Sequence, residues 1–166
     1  MWIPLPAQAL WCAMGRRWAI QSLWPASFKT SWGGELFQIE TVQQYPLEHE
    51  PLVDLAAEEQ DAGARPELSS HIEDPSQYDV IFLGYPNWWG DMPMILYTFF
   101  DTYDLSGKTV ALFCTSGGSG LSGTVNEVKS LEPNATVTQG LHIGSGSSSN
   151  PDNAVSEWLN ALGLAK

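Results

Sequence analysis

Bases are scarce in this chain. Seven lysines and arginines stand against 19 acids over 166 residues, and three of the seven, Arg16, Arg17 and Lys29, lie within the first 34 positions, which hold no acid. From Glu35 onward only Arg65, Lys108, Lys129 and Lys166 face all 19 acids, a net charge of −15. A field of that sign repels nucleic acid and anionic membrane and steers a basic partner protein, solubility alone being the other use of such a surface. Cysteine is nearly absent. Cys12 and Cys114 lie too far apart in sequence for a metal knuckle, which implies a reducing compartment with Cys114 in the core. No apolar run approaches the roughly 20 residues of a membrane helix, and no basic region followed by an apolar segment opens the chain, so a soluble, cytoplasmic protein is expected. His49, His71 and His142, read as loop, polar connection and strand, share no metal spacing and read as surface or core histidines.

The length fits one domain with a substantial core. Residues 1–32 nevertheless read differently from the rest. Trp2, Trp11, Trp18, Trp24 and Trp32 are five of the eight tryptophans, set with neither helical nor alternating period. Local signals that disagree mark a sequence not selected to fold, so 1–32 is set apart from a domain at 33–166, with at most an irregular segment and a short helix near Trp18–Lys29.

From Glu35 the pattern is regular. Leu36, Phe37 and Ile39 make a short strand; Leu52–Glu59 suggests a helix stopping before Gly63 and Pro66; 67–77 is polar connection. Val80–Leu83 is a buried strand, and Pro93–Tyr103 an apolar helix with proline in its first turn. Lys108–Cys114 is a second buried strand, Ser122–Leu131 a weak helix, Ala135–Ile143 a last strand, and Asn150 caps a terminal helix through Leu162. Alternating strands and helices predict an α/β fold with a parallel sheet covered on both faces.

Two loops carry the chemistry. Pro86, Asn87, Trp88, Trp89 and Gly90 follow the first buried strand; Thr115, Ser116, Gly117, Gly118, Ser119 and Gly120 follow the second. Ligands of open α/β sheets sit outside the carboxyl ends of strands, and paired indoles on a surface loop mark binding. Indole faces offer stacking, and glycines let backbone N–H groups approach a ligand. Together they suit a flat heteroaromatic ring with polar edges; taken singly, the tryptophans also fit a core cap and the glycines a plain turn. Ser116 and Ser119 lie beside glycine without a GxSxG nucleophile turn. Asp91, Asp101 and Asp104 are candidate carboxylates, the latter two better read as a solvated helix face. Asn134–Thr136 forms a glycosylation triplet without meaning in a cytoplasm.

The run GELFQIE, then YPNWWGDMP, then LFCTSGGSGLS, then a Ser-rich loop before a C-terminal helix, resembles the short flavodoxin-like family over residues 35–166. The resemblance implies a doubly wound, five-stranded parallel sheet in order 2-1-3-4-5, with FMN as cofactor. It places Pro86, Asn87, Trp88, Trp89 and Gly90 on one side of the flavin and Thr115, Ser116, Gly117, Gly118, Ser119 and Gly120 on the other. The family's first strand and its TGNT-type phosphate loop, which feeds a helix N-terminus, have no counterpart in residues 1–32. A shifted reading of codons for Trp18–Gly33 permits GNTESVASFIQDELG, so we read this segment as a frame-shifted flavodoxin start. The source DNA tests that: a clean frame without the shifted phosphate loop sinks it.

Three functions follow from the resemblance. The first is an electron carrier with basic-faced redox partner proteins, monomeric or weakly dimeric, whose acidic surface lowers the flavin potential and whose Gly90 peptide adapts to redox state. The second is an FMN-dependent NAD(P)H reductase of quinone-type acceptors, which needs a second stacking space that the short loops do not supply. The third is a remnant with impaired FMN binding.

Overall fold

A computed structural model of the chain describes residues 7–12, 35–144 and 151–164, with side chains described over 37–144 and 153–164. The elements run β1 (Ala7–Cys12), β2 (Glu35–Ile39), α1 (His49–Asp61), a 3₁₀ turn (Pro75–Gln77), β3 (Val80–Pro86), α2 (Met94–Thr102), β4 (Thr109–Ser116), α3 (Thr124–Leu131), β5 (Thr136–Val137), β6 (Leu141–Gly144) and α4 (Pro151–Ala161). The sheet order is β2-β1-β3-β4-β5, with β6 also on β4, and every pairing is parallel. β5 pairs with the start of β4 (Thr109↔Thr136) and β6 with its end (Phe113↔Leu141). The expected fifth strand is therefore present in two pieces, and the order is the expected 2-1-3-4-5.

One expectation fails. Residues 1–32 were to contribute no strand, yet Ala7–Cys12 forms the centre of the sheet, in register with β2 from Gln8↔Glu35 to Cys12↔Ile39 and with β3 from Ala7↔Val80 to Trp11↔Gly84. The physical reason is that a central parallel strand is covered on both faces and shows no alternation, so periodicity cannot find it. Two smaller corrections concern the helices: α1 begins at His49, which is thus a helix residue, and α2 begins after Pro93. The short helix expected near Trp18–Lys29 and the Asn150 cap lie outside the described residues.

The alternation of β3 and β4 sorts two cores. Ile81, Leu83 and Tyr85 with Val110, Leu112 and Cys114 face α2 and α3, whereas Val80 and Phe82 with Ala111 and Phe113 face α4 through Val155, Trp158 and Leu159. α2 buries Met94, Ile95, Leu96, Tyr97, Phe99 and Phe100 out of nine residues, which is why its sequence is apolar nearly all round. Each such side chain contributes about 1.5–3 kcal/mol on burial. The supposedly plain connection 67–77 also supplies core: Leu68 and Ile72 are buried, and Leu68 forms a bridge to Thr41.

Gly84 interrupts the apolar run of β3 for a steric reason. It pairs with Phe113, and a Cβ there would fall inside the Phe113 ring. That ring leans across β3 to meet Trp158 edge-on, 6.5 Å between centroids at 65°. Trp158 also meets Phe82 at 6.0 Å and its indole N–H reaches the Gln139 carbonyl at 2.8 Å, tying α4 to the break in the edge strand.

Candidate functional site at the carboxyl edge of the sheet

Parallel strands deliver their following loops to one edge. The registers Tyr85↔Cys114 and Pro86↔Thr115 bring the two predicted loops out side by side, and the Asn87 amide continues the ladder by donating to the Thr115 carbonyl at 2.8 Å. β1 and β2 end at the same edge, so the loop carrying Tyr45 arrives there as well.

The tryptophan loop is a tight hairpin turn. Trp88 and Asp91 exchange both backbone hydrogen bonds at 2.9 Å, and the central residues Trp89 and Gly90 take φ of 51° and 82°. Two consecutive left-handed residues define a type I′ turn, costless for Gly90 but worth about 1 kcal/mol of strain at Trp89. The turn separates the indoles. Trp88 packs against the core and meets Tyr45 edge-on at 5.7 Å, while Trp89 stands at the tip, 61% exposed. The Trp89 indole N–H donates to the Val53 carbonyl of α1 at 3.1 Å, so the exposed ring is held in place. Tyr45 is fixed in turn by donating its hydroxyl to Glu59 at 2.7 Å. Partial burial holds the Glu59 carboxyl above its ordinary range, an effect the Tyr45 hydrogen bond opposes.

Asn87 joins the two loops. Its side-chain Nδ2 donates to the Gly120 carbonyl at 3.2 Å and the Ser122 hydroxyl at 2.9 Å, and its Oδ1 accepts the Gly90 amide at 3.1 Å. Its polar groups are thus turned inward, in a structural clamp. In the glycine loop the Gly118 and Gly120 amides donate to Ser116 Oγ at 3.2 and 3.0 Å, whereas those of Gly117 and Ser119 take no partner among the described residues. A Cβ built at Gly117, Gly118 or Gly120 would meet nothing within 4 Å, so the loop's outer face is open space. Thr115 and Ser116 are half-buried at its root, and Gly117, Gly118 and Ser119 are exposed. Beneath it Tyr85 and Thr124, both buried, share a hydrogen bond, and Thr124 passes its own proton to the Leu121 carbonyl at 2.6 Å. Cys114 is fully buried, as expected, and burial pushes its thiol up to about 12.

The candidate carboxylates have structural uses. Asp91 accepts the Tyr97 hydroxyl at 2.7 Å and the Met92 amide at 2.7 Å, anchoring the turn to α2. Asp101 forms an exposed ion pair with Arg65 at 2.6 Å, and Asp104 accepts the Ser106 amide. Among the described residues no cluster of three His, Cys, Asp or Glu could hold a metal ion, and no helix is long and apolar enough to cross a membrane. Sequence reasoning passed over two residues of the site. Tyr45 was legible only as a residue shortly after a strand end. His142 was read as an ordinary strand histidine, but its Nε2 lies 2.8 Å from Ser116 Oγ.

The set of groups fits a planar heteroaromatic ring: an exposed indole, two amides without a partner among the described residues, open space above glycines, and a clamp that joins both walls. Comparison with known proteins points the same way. A protein-family model described as flavodoxin matches residues 53–162. A Bacteroides eggerthii protein assigned as a flavoprotein is 26% identical, with a TM-score of 0.81 over 96% of this chain and 98% of its own. A Lactobacillus acidophilus flavoprotein solved in complex with FMN is 18% identical, with a TM-score of 0.70 over 91% of this chain and 99% of its own. An apo-form NADH:FMN oxidoreductase shares the fold at 14% identity, with a TM-score of 0.57 over 96% of this chain and 87% of its own. No curated protein matches.

Proposed function

Because the chain belongs to the flavodoxin family, the FMN-binding family its strand-end loops resemble, we propose that it is an FMN-dependent electron carrier. The observation that supports the reading is the clamp: Asn87 joins both loops at one sheet edge, and these loops also carry the exposed Trp89 indole and the Gly117 and Ser119 amides, which take no partner among the described residues. FMN, when bound, supplies reversible acceptance and release of electrons. This chain's residues then bind and orient it. Trp89 offers a π-face whose angle is set by the Val53 carbonyl, and the Gly117 and Ser119 N–H groups would suit the carbonyl edge of the ring. Trp88 packs edge-on against Tyr45 and against the core.

The Lactobacillus acidophilus protein of this fold, which holds FMN, supports the cofactor assignment. The likeness to an NADH:FMN oxidoreductase keeps a reductase in view as the competing activity. The net −15 of residues 35–166 favours a basic redox partner, drawn in by long-range attraction that salt screens. To test the reading, the FMN-loaded protein is photoreduced and mixed with oxidised cytochrome c, a basic acceptor. A carrier re-oxidises quickly at low salt, more slowly at high salt, and does not consume NAD(P)H by itself. Steady NAD(P)H oxidation by the isolated protein would replace the carrier with a reductase.

A further inference from the structure

Ser116 has one proton to give and two lone pairs with which to accept. Both acceptor positions are taken, by the Gly118 amide at 3.2 Å and the Gly120 amide at 3.0 Å. The third neighbour is His142 Nε2, 2.8 Å away. If the imidazole donated there, three donors would compete for one oxygen and the hydroxyl proton would point at none of them. The stoichiometry closes only if Ser116 donates and His142 accepts, with the ring proton on Nδ1.

We propose that His142 is the positioning residue of the glycine loop: as a neutral imidazole protonated at Nδ1, it takes the Ser116 hydroxyl bond and so commits the Ser116 oxygen to the Gly118 and Gly120 amides. Alternate amides are thereby turned inward. The Gly117 and Ser119 amides are left for the ligand, and the consequence for FMN rests on the function proposed above.

A second feature locates His142. The edge strand breaks between Val137 and Leu141, and a Cβ on Gly140 would come within 2.8 Å of Leu121 Cδ1. Glycine at that position lets the residue directly after the loop pack into the break, and β6 resumes with His142 opposite Cys114, on the face that Ser116 shares. The loop is held from both ends by the edge strand.

A serine hydroxyl against an imidazole is also the beginning of a hydrolytic dyad. The amides oppose that here: donors that would serve an oxyanion elsewhere lie on the serine oxygen itself and damp its nucleophilicity.

The test begins on the unaltered, ligand-free protein. ¹⁵N shifts of the His142 ring should place its proton on Nδ1 at neutral pH; a proton on Nε2 overturns the proposal outright. Amide exchange at Gly118 and Gly120 should then accelerate in His142→Leu and return toward the wild-type rate in His142→Gln, whose side-chain oxygen can accept the same hydroxyl. Equal rates in all three proteins overturn it. FMN affinity should fall about tenfold in His142→Leu, the worth of one hydrogen bond, and recover in His142→Gln. Should the wild-type protein bind no FMN, the functional reading fails while the tautomer and exchange results still decide the role of His142. Should His142→Leu fail to fold, the wild-type tautomer decides it alone.

Discussion

Replacing Asn87 by alanine removes a side chain that spans both walls of the site. Three hydrogen bonds go with it, to the Gly120 carbonyl at 3.2 Å, the Ser122 hydroxyl at 2.9 Å and from the Gly90 amide at 3.1 Å. Each bond nets about 0.5–1.5 kcal/mol, and Ser122 and Gly90 are exposed enough to regain water, so the sum falls near the low end, about 1–2 kcal/mol. Urea unfolding should show that loss as a lower midpoint with an unchanged slope. The larger effect should be on the ligand. With the clamp gone, Trp89 remains held by Val53 and the glycine loop by Ser116, and only the backbone ladder at the loop roots, ending in the Asn87 amide bond to the Thr115 carbonyl, relates one to the other. Binding must then order two walls joined at their roots alone, which should weaken FMN by about tenfold. Asn87→Asp is the sharper variant. It keeps the Gly90 bond but sets a carboxylate against the Gly120 carbonyl, so it should bind FMN more weakly than Asn87→Ala. An alanine variant with wild-type midpoint and wild-type FMN affinity would refute the reasoning, because the walls would then be positioned without Asn87.

Other perturbations give independent checks. Gly84→Ala forces the Phe113 ring off Trp158 and should cost about 1–3 kcal/mol in urea unfolding; Phe113→Leu in the same chain should recover part of it, and simple addition of the two losses would contradict the clash. Burial raises the Cys114 thiol to about 12, so the folded state keeps a proton that the unfolded chain sheds above its ordinary value near 8.5. Stability from this group is therefore complete below about pH 8.5 and should be lost at about 1.4 kcal/mol per pH unit above it. A Cys114→Ala variant should show a flatter fall between pH 9 and 10.5, and identical slopes would count against burial as the cause. Trp89→Ala should leave stability within about 0.5 kcal/mol, since the ring is 61% exposed, while weakening FMN severalfold; Trp89→Phe should retain most of the affinity, and equal losses in both would argue against stacking.

How much of this was legible in the sequence follows from what each segment buries. β3 and β4 announce themselves as continuous apolar runs, and the two loops as glycine, proline and indole after a strand, so the fold and the meeting of these loops at one sheet edge could both be read. β1 could not. Ala7–Cys12 is neither alternating nor rich in branched residues, and only the register with β2 and β3 reveals its place. The edge strand was legible as one element but not as two, because its break depends on Gly140 yielding space to Leu121. The paired tryptophans read as equivalent, whereas the left-handed turn gives one to the core and one to solvent. Asn87 and Ser116 read as ligand contacts, yet their polar atoms serve the loops themselves. Hydrogen-bond direction is a property of registers and turns, and composition does not carry it.

The central claim, that the two clamped loops form an FMN site, is tested most directly by titrating FMN with the purified protein and following flavin fluorescence and the visible band. The account predicts stoichiometric quenching, a shifted band and a dissociation constant of about 1 μM or tighter, equivalent to roughly 8 kcal/mol. Unquenched fluorescence and an unmoved band at protein concentrations well above that range would contradict it.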